Sequence, residues 1–478
     1  MEYPKGWTPE QIAEFERITG QVKEVEGAKP TLADLGFETP AKIGVPFERA
    51  FFNPDDLTQV PGIVGRLTDW TTASAWYPNR PLALGSSLVT CATLMGQRVE
   101  SPTGSGLHLY VIGIARTSAG KQQPMRCAKT AIDTAGATTA ILGEVKSSVA
   151  IVEKLKAQAV FCAFIDEYDK VLSRILKSNA GSFETDIINQ LCQLWSYELE
   201  AYLTPAASKN PAQIIYAPRV SLFACTTPEN FYKALASREI TGGFINRHLN
   251  VRGEDDPTLQ ENRADLKVPD DLAACLRALR GKAGLDKILN KPMADIGNDS
   301  GYAEPPPKPV KPEIILGWGP GAKEIWTGLA STLRAERDEL KQNIFARVAE
   351  MTVRLASIVA FGRGSLVVEV PDMEWARALA MRSAQDLHEG VLKHMEDPKT
   401  HNAMCEEILR MLRTSDERLP DGSRFLSLRD INRKCRKYKA KGGDVDAALK
   451  QLSQEERIGW DTRATAGRSS AICKLLEE

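Results

Sequence analysis

The rhythm of apolar and polar positions changes several times along the chain, and each change predicts a different kind of element. From residue 107 to about 250, near-continuous apolar runs such as "GLHLYVIGI", "AVFCAFI" and "RVSLFACT" alternate with amphipathic stretches such as "KQQPMRCAKTAIDTAG". Short apolar runs without alternation fit strands buried on both faces, and their alternation with helices predicts an α/β core with a parallel sheet. Ahead of it, Asp56 to Gly96 predicts two or three packed helices. Residues 1 to about 50 are polar and broken by Pro and Gly, with one helix predicted over Glu10 to Thr19, opened by "TPEQ". After residue 251 the chain turns polar and ends in "EPPPKPVKPE", a stiff connector of the polyproline type. Gly321 to Glu396 is predicted helical throughout, because "ARVAEMTVRLASIVAFG" places apolar residues three and four apart. The last segment predicts a helix, two shorter helices and a hairpin over "RIGWDTRATAGRSSAICKL", the order of a winged helix. The expected division is therefore an arm (1–54), a helical subdomain (55–106), an α/β core (107–260), a connector (261–312), a helical lid (313–399) and a winged helix (400–478).

Composition narrows the function classes. With 478 residues and 43% apolar content the chain can bury a large core. Its net charge of −1 announces neither nucleic acid nor membrane, so any basic surface has to be local. The nine cysteines form no C-x-x-C pair and have no His at ligand spacing, which predicts reduced thiols and no structural zinc. Neither a signal peptide nor an apolar run of ~18 residues is present, so the expected location is the cytosol, with no membrane partner.

Candidate chemistry begins at Ala115–Gln122, "ARTSAGKQ", between a predicted strand and a predicted helix. It has the outline of a phosphate-binding loop, with Ala115 where the usual pattern has Gly and Gln122 where it has Ser or Thr. Backbone N–H groups do most of the work in such a loop, so Arg116, Thr117, Ser118 and Ala119 can supply it, with Gly120 giving close approach and Lys121 a cation. Pro124 falls in the first helical turn, where no intrahelical donor is lost. The amide oxygen of Gln122 is a hard ligand able to reach Mg²⁺ or one of its waters. An ordinary turn opening a helix is the competing reading.

Two later strands add to the pattern. "AVFCAFIDEYD" delivers Asp166 and Glu167 at a strand end, where Asp166 would hold Mg²⁺ and Glu167 would polarise an attacking water. "RVSLFACTT" ends in Thr226 and Thr227, either of which could contact the γ-phosphate or the water, and "REITGGFINRHL" follows with Arg238 and Arg247 about a Gly-Gly turn. Each piece has a bland counterpart, such as solvated acids at a helix N-terminus or a surface ion pair. Their order is the specific feature.

With "GKQQP", "FIDEYD", "FACTTPENFYKAL", "GGFINRHL" and "ARVAEMTVRLA" in that order, residues 55 to 400 resemble the P-loop ATPase domain of phage and prophage primase–helicase and replication proteins, relatives of the AAA+ ring ATPases. The resemblance implies ATP and Mg²⁺ as ligands, a homo-oligomeric ring taken as hexameric, and a bacterial host cytosol. It also implies Arg247 as an arginine finger and Arg347 or Arg354 as a second sensor on the lid. Glu350 lies at helical spacing from both and could instead pair with either. No primase domain is visible, so a separate primase or polymerase is a further expected partner.

The C-terminal segment carries the local basic surface. Ser423 to Lys441 holds eight Lys or Arg against the single acid Asp430. Arg429, Arg433, Lys434, Arg436, Lys437, Lys439 and Lys441, with Arg463 and Arg468 on the hairpin, are the expected contacts to single- or double-stranded DNA. The following helix lacks Arg and Asn, which argues against strong base readout. The expectation is a replicative helicase or DNA translocase motor. The alternatives are a DNA-binding initiator or helicase loader, and a nucleotide-binding scaffold that has lost hydrolysis.

Overall fold

The computed structural model describes residues 44–145, 147–175, 182–196, 201–205, 213–235, 243–281, 311–395, 398–420, 422–435, 442–454, 457–465 and 468–476. Residues 1–43 of the expected N-terminal arm, with its helix, most of the Pro-rich connector, and Arg238 lie outside the described residues. The centre is a five-stranded, wholly parallel sheet: β1 (Tyr110–Ile114), β2 (Ile141–Leu142), β3 (Val160–Ile165), β4 (Arg219–Thr226) and β5 (His248–Arg252). Spatially the order is β2-β3-β4-β1-β5. Leaving β1, the chain crosses to the far edge and returns strand by strand, so β4 is inserted between β3 and β1.

Every residue of β1, β3 and β4 is buried, as their unbroken apolar runs require. Successive side chains still point to opposite faces. On one face Gly85 of helix α2 (Arg80–Met95) comes so close that a Cβ there would stand 3.1 Å from Val111 and 3.4 Å from Val251. Helix α3 (Gln122–Thr134) packs beside α2. On the other face Tyr110 donates to Leu191 O (2.9 Å) and Asn250 N donates to Ser383 Oγ (2.7 Å). Helices α4 (Tyr168–Ile175), α5 (Pro228–Leu235) and α7 (Val370–Met395) cover that side, packed on β4, β5 and one another. A single hydrophobic cluster runs from Val45 to Val391, so helix α1 (Gly62–Ala73) and α2, the sheet, α6 (Val348–Gly362) and α7 bury into one core. The stretch expected to be helical throughout is interrupted at Val367–Val368, which pairs in parallel with Gly317–Trp318 just ahead of it.

A second cluster of buried residues, from Met404 to Cys473, belongs to the C-terminal segment. It joins helices α8 (Pro398–Arg413), α9 (Leu428–Cys435) and α10 (Gly442–Gln454) to an antiparallel sheet of β6 (Phe425–Ser427), β7 (Ile458–Thr465) and β8 (Arg468–Leu475), in the order β6-β8-β7. Ser427 starts α9 by accepting from Asp430 N (3.0 Å) and donating to the Asp430 carboxylate (2.6 Å).

His248 gives the core a pH dependence. Its ring is buried against Tyr168 and Phe244, and burial pushes its pKa down to about 3 from 6.5. The unfolded chain therefore binds the proton more readily, so stability is full above about pH 6.5 and falls as the pH drops toward 3. Wild type should lose about 2 kcal/mol more than His248→Gln between about pH 7 and about pH 5 in urea unfolding. Equal losses in the two proteins would remove His248 as the cause.

Candidate functional site

The segment joining β1 to α3 is a loop with a fixed, unusual backbone. Ser118 (φ 67°) and Gly120 (φ 75°) are both left-handed. A Cβ at Gly120 would stand 2.1 Å from the carbonyl oxygen of Tyr77, so close approach and positive φ both demand Gly there. Ala115 N donates to Thr226 O (3.2 Å), which ties the loop entrance to the end of β4. Asn79 donates to Ala119 O (2.9 Å) and to Glu254 O (3.1 Å), bolting the loop to the exit of β5. Lys121 folds back over the loop, donating to Ala115 O (2.8 Å) and Arg116 O (3.0 Å). Arg116, Thr117 and Ser118 are exposed and Ala119 is buried. Gln122 is exposed and opens α3, whereas Gln123 is committed to packing, donating to Ser74 O (3.1 Å) and Ser74 Oγ (3.0 Å).

The carboxyl ends of three strands meet this loop. Ile114 pairs with Thr226 and Ile165 with Ala224, so β1 and β4 end at one level and β3 two residues before it. The acidic strand, expected beside the loop, is one strand removed from it, because β4 is inserted. The Thr226 hydroxyl bridges that gap by donating to Asp169 (2.8 Å), an acid that the sequence reading left out. Asp166 and Glu167 are exposed. Asp166 accepts from Glu167 N (2.9 Å), and Glu167 sits at φ 51°, an uncommon conformation for a residue with a side chain. Its carboxylate pairs with Lys170. Thr227 is half-buried, and its carbonyl accepts from Phe231 N (2.9 Å) at the start of α5.

Burial lowers the Lys121 ammonium below the ordinary lysine range, opposed by the nearby Cys225, Asp166 and Asp169. Lys121 thus feels the acids that follow β3, and the Thr226 hydroxyl is bonded to one of them, Asp169. Two further cations stand at the mouth. Arg116 lies 3.9 Å from Asp255, and Arg252, level with Ile114 at the end of β5, lies 3.3 Å from the same carboxylate. Among the described residues no group of three or more His, Cys, Asp or Glu is placed to hold a metal ion. A Mg²⁺ held chiefly by phosphate oxygens and water needs only one or two carboxylates, and the exposed Asp166 fits that donor set.

No protein-family model matches the chain, and no curated protein sequence matches it significantly. The residues themselves therefore carry the functional argument.

The three arginines expected around a γ-phosphate are not brought to the loop of their own chain. Arg354 is fully buried at the opposite, amino-terminal end of the strands, donating to His108 O, Trp195 O and Glu350, each at 2.8 Å. His108 precedes β1, which puts Arg354 roughly 20 Å from the loop by strand rise. Arg347 pairs with Glu350 (3.6 Å), so the helical-spacing ion pair holds for both. Arg247 stands just before β5, whose first residue pairs with the first of β1, and so occupies the same end. Its guanidinium lies over the Trp195 ring at 5.9 Å and bonds Gly243 O. Burial pulls its pKa below the ordinary arginine value.

In the C-terminal segment, Ile431 and Cys435 of α9 are buried while Arg429, Arg433 and Lys434 are exposed, with Arg433 paired to Asp430 (2.9 Å). Arg436, Lys437, Lys439 and Lys441 lie outside the described residues. Arg463 and Arg468 belong to the hairpin strands, opposite Ser470 and Thr465. No helix among the described residues is long and apolar enough to cross a membrane.

Proposed function

We propose that the chain is an ATP-hydrolysing DNA motor, a ring-forming helicase or translocase of the phage replication type. The observation that carries this reading is the meeting of Lys121, Asp166, Asp169 and Thr226 at the carboxyl ends of β1, β3 and β4. Beyond the carboxyl ends of a parallel sheet is where ligands of open α/β folds bind. The loop Ala115–Gln122 receives the phosphates on its N–H groups, and Lys121 exchanges the carbonyls of Ala115 and Arg116 for phosphate oxygens. Asp166, with Gln122 beside the loop, would hold a Mg²⁺ ion, which would supply charge neutralisation to the phosphates. Glu167 accepts a proton from the water attacking the γ-phosphorus, and ADP departs. Thr226, positioned by Asp169, marks the γ-phosphate side of the site.

The order helix, strand, two helices and hairpin after residue 398 supports a winged helix, with α9 lying against phosphates and α10 as its second helix. ATP turnover should rise when single-stranded DNA is added, and a forked duplex should be unwound. Replacing Arg433 and Lys434 by Ala should weaken binding alike for unrelated sequences and lower the duplex salt slope by about two. An unchanged slope in a folded variant would mean that this face is only solvated. Stimulation without unwinding would assign an initiator or loader, and binding without turnover a regulator.

A further inference from the structure

Beside the loop glycine lies an aromatic surface that phosphate chemistry does not use. Trp76 is 50% exposed and Tyr77 43% exposed, consecutive in the turn between α1 and α2. Single exposed aromatics are ordinary on protein surfaces, but this pair is built in rather than left over. The Tyr77 backbone touches Gly120, with its own Cβ 3.4 Å from where a Gly120 Cβ would stand. Gln260 N donates to Trp76 O (2.8 Å) and Ala264 N to Ala73 O (2.7 Å), so the segment leaving β5 straps the turn from outside. From that strap the Arg263 guanidinium stacks over the Trp76 ring at 4.6 Å. Asn79 closes the arrangement by tying the same turn to Ala119.

The geometry points to a base-stacking platform: Trp76 and Tyr77, backed by Arg263, hold the base of the nucleotide whose phosphates enter the loop. This inference rests on the nucleotide reading of that loop. A triphosphate seated at Gly120 and Lys121 has its nucleoside as the next group along. The turn packed against Gly120 is the one that carries the two exposed rings. Flat aromatic and guanidinium groups recognise a base by its face, and the larger face of a purine gains most from them. The class of ligand is therefore a purine nucleoside triphosphate, selected over pyrimidines by stacking area.

Calorimetric titration of the full chain with Mg²⁺ and ATP, CTP or inorganic tripolyphosphate tests this. Wild type should bind ATP at least about tenfold tighter than tripolyphosphate, and tighter than CTP by a smaller factor. Trp76→Ala and Tyr77→Ala should each lose about tenfold for ATP and keep wild-type affinity for tripolyphosphate, and Trp76→Phe should retain most ATP affinity. Should Trp76→Ala fail to fold, Tyr77→Ala and Trp76→Phe decide. ATP affinity unchanged in the Ala variants overturns the platform, as does an equal loss for tripolyphosphate, which would make the rings mere supports of the loop. The nucleotide reading fails separately if wild type binds neither ATP nor tripolyphosphate, or if Lys121→Ala binds both as wild type does.

Discussion

Glu167→Gln is expected to bind ATP with near-wild-type affinity and to hydrolyse it at least ~100-fold more slowly, the scale of a lost acid–base group. Lys121→Ala is expected to lose both binding and turnover. The two variants separate because the groups act on different atoms. On the proposed function, Lys121 would offer its charge to phosphate oxygens in the ground state and the transition state alike, whereas Glu167 would matter only when water gives up a proton. Glutamine keeps the size of Glu167 and one acceptor oxygen but has no basicity. The backbone of Glu167 lies at φ 51° and its carboxylate is held by Lys170, so the substitution changes charge without asking the strained turn to move. Equilibrium binding of a fluorescent ATP analogue and steady-state phosphate release would measure both quantities. Unimpaired turnover in Glu167→Gln would end its assignment as the base.

How much of this site was legible beforehand depended on the range of the interaction. The strands were legible because a strand buried on both faces has to be apolar throughout, and "YVIGI", "VFCAFI" and "RVSLFACT" are. The loop and its acids were legible because strand, turn and helix are consecutive in sequence. Strand order was not, since an apolar run carries no label for its neighbour, and the insertion of β4 beside β1 emerged only from the sheet. Asp169 was missed for a related reason. It follows the expected pair in "DEYD", and what distinguishes it is a hydroxyl 57 positions away, on Thr226. Asn79 likewise acts on Ala119 and Glu254, 40 and 175 positions distant. Its signal, a lone Asn before a helix, is indistinguishable from an ordinary cap. Arg354 shows the converse limit. Periodicity placed it on a packed helix, but periodicity fixes a helix face and not which end of the sheet that face meets. The two terminal nitrogens of Arg354 donate to two carbonyls and Glu350 at the amino-terminal end of the strands.

Arg247→Ala is expected to fold, to bind ATP, and to hydrolyse it ~10³-fold more slowly, because charge developing on the transferred phosphoryl group needs a further cation. The structure sharpens this expectation by where it puts the residue. Arg247 precedes β5 at the end of the strands opposite the loop, so it has no route to the phosphates of its own chain. If it acts in catalysis, it acts on a neighbour. Trp195 at 5.9 Å and the carbonyl of Gly243 hold the guanidinium half-buried, and a structural role would consist of those contacts. The two roles part on mixing. Arg247→Ala subunits retain an intact loop and Lys121→Ala subunits retain an intact Arg247, so a mixed ring contains interfaces where the two meet. Mixing should restore part of the activity, and wild-type turnover per subunit should climb with protein concentration across the assembly range. A mixture that stays inactive while native mass spectrometry finds mixed rings would leave Arg247 a structural residue. The cations remaining for the reaction would then be those at the mouth of the loop in its own chain, Arg116 and Arg252, both now tied to Asp255.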